Sequence, residues 1–152
     1  MIKALYIVYT YLLLLSCKEK DDNIKPCNVR ADIRLGNKFY SICLNQDGEG
    51  YIIKGNASYY TDTLKIESSD TSKVFKIDSV NVFFENLNKM KAHPVFGESR
   101  LDAPRAEIYY NRQKVYDGYR WDELFWDLFR PVMEQLPKGY SPFRMNDKPF
   151  KN

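Results

Sequence analysis

The sequence predicts an α+β domain: a mainly antiparallel sheet carrying two amphipathic helices on one face. Three observations point there. Early segments alternate apolar and polar residues with period two, glycine- and asparagine-containing turns separate them, and two later segments repeat apolar residues at i, i+3, i+4 and i+7.

Val29, Ala31, Ile33 and Leu35 alternate with Arg30, Asp32 and Arg34, which describes a half-buried strand. Gly36-Asn37 turns the chain, and Tyr40, Ile42 and Leu44 line the apolar face of a second strand. Asp47-Gly48 is a hairpin turn because both residues tolerate positive φ, and residues 51–54 form a third strand. Residues 59–67 and 73–77 read as a further hairpin around Ser68-Ser69-Asp70-Thr71-Ser72.

The period then changes. Asp78 or Ser79 caps a helix with Val80, Phe83, Phe84, Leu87 and Met90 on one side, and His93-Pro94 ends it because the residue before proline avoids the α region. After a loop containing Gly97 and Pro104, residues 106–110 and 114–117 form a short hairpin around Asn111-Arg112-Gln113. The strongest helix follows over residues 120–136, with Asp122 and Glu123 in the first turn, where the helix dipole favours anions. Pro131 is expected to bend it, and Pro137 and Gly139 stop it. A shift of 41 residues aligns Lys73-Val74-Phe75 with Lys114-Val115-Tyr116, and Val80, Phe83, Phe84, Leu87 with Trp121, Leu124, Phe125, Leu128. This suggests a tandem ββα duplication, although any strand-then-helix pair shares these periods.

The first residues have a different character. Lys3 and the amino terminus precede an apolar run from Ala4 to Leu15, shorter than the roughly 20 residues that span a bilayer. A positive start and a short apolar run describe a secretory signal peptide. The run exits through Leu14-Leu15-Ser16-Cys17, which resembles the lipobox of bacterial lipoproteins; Leu15 stands where that family prefers a smaller residue. The resemblance implies acylation of the Cys17 thiol, cleavage before it and acylation of the new amino terminus. Several acyl chains anchor more firmly than the marginal hold of one. The charged stretch Lys18-Glu19-Lys20-Asp21-Asp22-Asn23 has no apolar residue and is expected to stay solvated. It is also similar to the export signal of Bacteroidota-type surface lipoproteins, so the outer-membrane location has two alternatives, the surface and the periplasmic face. The expected organisation is a signal peptide over 1–16, a lipidated flexible tether over 17–28 and one domain over 29–152.

Charge bounds the partners. Of 23 Lys and Arg the leader holds only Lys3, so 22 remain against 20 Asp and Glu, a net charge of +2. Without a basic stripe, nucleic acid is not an expected partner. Cys27 and Cys43 are a candidate disulfide in an oxidising compartment, with two free thiols as the alternative.

Motifs with chemistry are few, and no cofactor or metal is expected. The single histidine, His93, has neither a triad nor a zinc set around it. Asn45, Asp47 and Glu49 lack the ligand run of a calcium loop. Glu123 and Asp127 lie one helical turn apart but share a face with Arg130 and Glu134, as a solvated face does. Asp62-Thr63-Leu64 and Asp78-Ser79-Val80 are similar to the O-glycosylation motif of Bacteroidota exported proteins, and Asn56-Ala57-Ser58 matches the N-glycan acceptor.

Aromatic residues are the remaining signal. At 100° per residue the second helix's stripe centres on Trp121, Leu128 and Val132, leaving Trp126 and Met133 beside each other well off the centre. Either the tail covers Trp126, or Trp126 and Met133 form part of a partner-binding patch. The function expected is non-enzymatic binding of a protein or glycan at the cell envelope. The rivals are a small hydrolase acting on envelope polymers through carboxylates and an accessory subunit of an envelope assembly.

Overall fold

The computed structural model describes residues 27–60, 63–97, 104–119 and 122–142. Its elements are β1 (Val29–Leu35), β2 (Lys38–Leu44), β3 (Glu49–Tyr60), β4 (Thr63–Thr71), β5 (Phe75–Lys76), α1 (Val80–Ala92), β6 (Val95–Phe96), β7 (Arg105–Tyr110), β8 (Gln113–Tyr119) and α2 (Glu123–Met133). The eight strands form one sheet in the order β4-β3-β2-β1-β7-β8-β6, with β5 also paired to β3. Every pairing is antiparallel except β6 with β8. The fold is α+β.

Period-two alternation on the central strands sorts the side chains. Val29, Ala31 and Ile33 of β1 face the helices with Ile42 and Leu44 of β2, Ile52 of β3, Ala106 and Ile108 of β7, and Tyr116 of β8. All are buried in one core with Phe83, Leu87 and Met90 of α1 and Phe125, Leu128, Phe129 and Val132 of α2. Phe129 stacks on Phe125 at 4.9 Å and meets the Phe83 ring edge-on at 5.6 Å, so the two helices are joined through aromatic rings in favoured geometries. Both helices pack on one face of the sheet, as the sequence predicts.

Gly48 is required twice over. Its φ of +80° suits the β2–β3 turn, and a Cβ there would collide with Val80 of α1. The β7–β8 turn instead puts Asn111 and Arg112 at φ +48° and +68°, left-handed positions that glycine usually fills.

The structure corrects four expectations. The hairpin around residues 68–72 does not form: Ser68, Ser69, Asp70 and Thr71 remain in β4 opposite Asn56, Gly55, Lys54 and Ile53, and the chain reverses between Tyr60 and Thr63. The polar run reads as a turn, but an edge strand tolerates polar residues because it has a neighbour on one side only. The loop after Pro94 contains β6, two residues paired with β8. The helix over 120–136 is shorter; Asp122 is its N-cap, accepting a hydrogen bond from the Leu124 amide at 3.0 Å. Leu124, which the 41-residue alignment matches with Phe83 and so expects in the core beside Phe125 and Leu128, is 43% exposed, and Phe129 takes that place. Trp121 lies outside the described residues, and Phe84 is half-buried against the core.

The duplication has its helices on one face of one sheet, yet the strands before them differ. β8 pairs with its immediate predecessor β7, whereas β5 pairs with β3. Val74 is exposed where its counterpart Val115 is buried.

Candidate binding face

The sheet face away from the helices shows a patterned arrangement of charge. Register places Asp32 of β1 opposite Glu107 of β7, and Glu107 opposite Asp117 of β8. Ser41 of β2 extends this row, its hydroxyl donating to Asp32 Oδ1 at 2.6 Å. One row towards the start of β1 holds Cys43, Arg30, Tyr109 and Lys114. On the other side, Arg34 stands opposite Phe39 and Arg105 opposite Tyr119. An acidic row thus runs between two rows that carry cations.

Three carboxylates side by side would repel one another, and the flanking cations hold them together. Arg105 grips Asp117 with two donors, Nε to Oδ1 at 2.6 Å and Nη2 to Oδ2 at 2.7 Å. Lys114 Nζ lies 3.0 Å from Asp117 and 3.3 Å from Glu107, and Arg34 Nη2 lies 3.7 Å from Glu107. Arg30 Nε pairs with Asp32 at 3.1 Å. The Tyr109 hydroxyl donates to Glu107 at 2.9 Å, and the Tyr109 ring lies near both Arg30 and Lys114, at 4.5 and 5.5 Å. Burial pushes the Asp117 carboxyl up, but the hydrogen bonds from Arg105 and Lys114 outweigh it and hold the group below its usual range. Arg105 is raised in turn, first by its bond to Asp117.

Depth decides what a partner would meet. The side chains of Glu107, Asp117 and Asp32 are 8%, 12% and 27% exposed, while those of the four cations are 32–49% exposed. Short carboxylates lie against the sheet, and the longer arginine and lysine chains reach over them to solvent. The face is acidic beneath and cationic outside.

Cys27 and Cys43 also meet at this face, near the start of β1. Cys43 sits beside Tyr51 in the register, and both thiols line one small cavity with Tyr51. Both are free thiols, and Cys27 donates to the Val29 carbonyl at 2.9 Å. The two thiols affect each other's titration: the interaction with Cys27 lowers Cys43, and the same contact, followed by burial, drives Cys27 well up. The two residues of the candidate disulfide thus line one cavity as free thiols.

No family model, curated protein or solved structure matches this chain.

The other candidates fall elsewhere. Residues 1–26, including Cys17, lie outside the described residues. Trp126 is half-buried, and Met133 is half-buried against the core, so neither stands open on the helix as Leu124 does. Glu123, Asp127, Arg130 and Glu134 are exposed, with Asp127 and Arg130 paired at 2.9 Å. His93 caps the end of α1 and is exposed. Asp47 accepts from the Glu49 amide at 2.9 Å, a turn contact. Ser79 is the exposed N-cap of α1, and its side chain makes no capping bond. Asn56 to Ser58 lie within β3; Asp62 and the side chains of Thr63 and Leu64 lie outside the described residues. Among the described residues, no three His, Cys, Asp or Glu side chains gather to hold a metal ion.

Sequence reasoning saw Arg30, Asp32 and Arg34 only as the polar half of a strand. Glu107 and Asp117 were missed because they sit 75 and 85 residues beyond Asp32, and no local pattern encodes the pairing of β1 with β7.

Proposed function

We propose that the chain is a lipid-anchored, non-enzymatic binding module of the bacterial cell envelope, whose protein or glycan partner offers acidic groups to the open sheet face. The carrying observation is the layered charge: carboxylates at 8–27% exposure beneath cations at 32–49%. Buried carboxylates fix the positions of the cations, so little side-chain freedom is lost when a partner binds. The four cations over three carboxylates leave the face a net +1, too little for the phosphate-rich backbone of nucleic acid. Such a face favours an acidic patch of matched shape. The hydrolase reading has less support. A general acid needs a raised pKa, and Asp117 is held ionised by Arg105 and Lys114.

The test uses polyglutamate and polygalacturonate as acidic peptide and acidic glycan. One of them should bind the mature chain, more weakly as salt rises, and Arg34→Glu should weaken it several-fold while the protein stays folded at the assay temperature, as circular dichroism reads it. Binding of neither polymer, or binding untouched by Arg34→Glu, would overturn the assignment to this face.

A further inference from the structure

At the end of the sheet where β1 begins, the β7–β8 turn closes against the entering chain. The Asn111 amide donates to the Asn28 carbonyl at 2.8 Å, and the Asn28 side-chain amide donates to Asn111 Oδ1 at 3.3 Å. Beside this clasp opens a pocket of about 320 Å³ lined by Cys27, Asn28, Arg30, Tyr109 and Arg112. Two guanidiniums and an amide line it, and no carboxylate does. Arg30 is shared with Asp32, but among the described residues Arg112 has no ion-pair partner. Arg112 also holds a backbone conformation, φ +68°, that arginine rarely adopts, in the turn that lines the pocket.

We infer that this pocket takes the phosphate of an anionic lipid headgroup in the membrane that Cys17 enters. The inference rests on the lipoprotein reading. Guanidinium groups bind phosphate through paired donors, a fit that a lysine ammonium lacks. Ten residue steps separate Cys17 from Cys27, so the pocket lies within about 35 Å of the acylated residue. Because Cys27 itself lines the pocket, the anchored chain leads directly to it. Lys91 and Lys114 stand at the same end, 5.4 Å from the Tyr110 ring and 5.5 Å from the Tyr109 ring. The acidic residues of the neighbouring β2–β3 turn are Asp47, bound to the Glu49 amide, and Glu49. Docking by this end directs the strands toward the membrane and leaves the row of the charged face that holds Arg34 and Arg105 open to a partner.

The test uses the mature chain beginning at residue 17 with Cys17→Ser, which bears no acyl chain yet keeps the whole core, drawn from residues 29–132. It should sediment with phosphatidylglycerol vesicles at low salt and not with phosphatidylcholine vesicles. Arg112→Gln should weaken that binding about fivefold, the worth of one cation at an anionic surface, without lowering the melting temperature. Lys38→Gln removes the same charge at the opposite end of the sheet, where Lys38 pairs with Leu35, and should leave binding unchanged. Equal losses from the two variants would reduce the effect to net charge and overturn the proposal. So would equal binding to phosphatidylcholine, or inorganic phosphate occupying the pocket of a protein that binds no vesicle. The mass of Cys17 in protein recovered from cells reads the lipoprotein assignment separately: a bare cysteine overturns the anchor, whatever the vesicles show.

Discussion

Asp117 is nearly buried on a sheet face that includes Glu107 next to it and Asp32 one strand further on, so its charge persists only because Arg105 and Lys114 bind it. The folded carboxyl therefore holds its proton less tightly than the unfolded one. Its contribution is complete above the unfolded carboxylate pKa, near 3.9, and is lost as pH falls through the lower folded value. Asp117→Asn should cost about 1–3 kcal/mol at pH 7, since a buried charge-assisted bond is lost and its partners are left without it. Denaturant melts from pH 7 to pH 2 should show the gap to wild type closing below about pH 4; a gap constant across that range would show that the charge is irrelevant. This residue also marks a limit of local reading. Alternation identifies Arg30, Asp32 and Arg34 as one polar side of a strand, and the β7–β8 hairpin is local, but what brings the two together is the β1–β7 register, which no short window contains. The clasp between Asn28 and Asn111 is hidden for the same reason.

At the scale of elements, the two helices were legible because their apolar period is long and uniform. Their type, order and shared face follow from it, whereas the exact azimuth of α2 does not. Leu124 and Phe129 sit on opposite flanks of the stripe through Phe125, Leu128 and Val132, and spacing alone admits either. Packing chooses Phe129, because α1 presents Phe83 on that flank and Phe125 stacks from the same helix. The face is turned by roughly 30° from the one that Trp121, Leu128 and Val132 imply. Phe129→Ala should then cost about 3–5 kcal/mol, as large core truncations do. Leu124→Ala should stay within about 0.5 kcal/mol, as exposed positions do. Chemical denaturation of both variants checks this, and a reversed order of costs would refute the azimuth. Strands were harder. Residues 68–71 are Ser, Ser, Asp and Thr, side chains that favour turns, and they still extend β4, because pairing with β3 satisfies their backbone while the edge leaves their side chains in water.

For the whole molecule, sheet order links the entering chain, the pocket and the charged face. β1 lies in the interior of the sheet between β2 and β7, so the chain enters beside the middle of the fold and not at a sheet edge. A pull on the chain at residue 27 is thus resisted by two antiparallel ladders on β1. Cys17 carries the longest-range prediction. No helix among the described residues is long and apolar enough to cross a membrane, and the core residues on α1 and α2 are committed to the sheet. Acylation of Cys17 would supply several chains, each CH₂ contributing about 0.8 kcal/mol on insertion. On the lipoprotein reading, removing the thiol would remove the first acylation, and with it the step that licenses cleavage before Cys17. Cys17→Ala should therefore yield either a membrane-bound precursor with its leader intact or a chain free of the membrane, and neither should carry acyl mass. Fractionation followed by intact-mass measurement distinguishes these forms. Cleaved, acyl-free Cys17→Ala protein that stays membrane-bound through an apolar anchor would show that something other than Cys17 holds the domain in place.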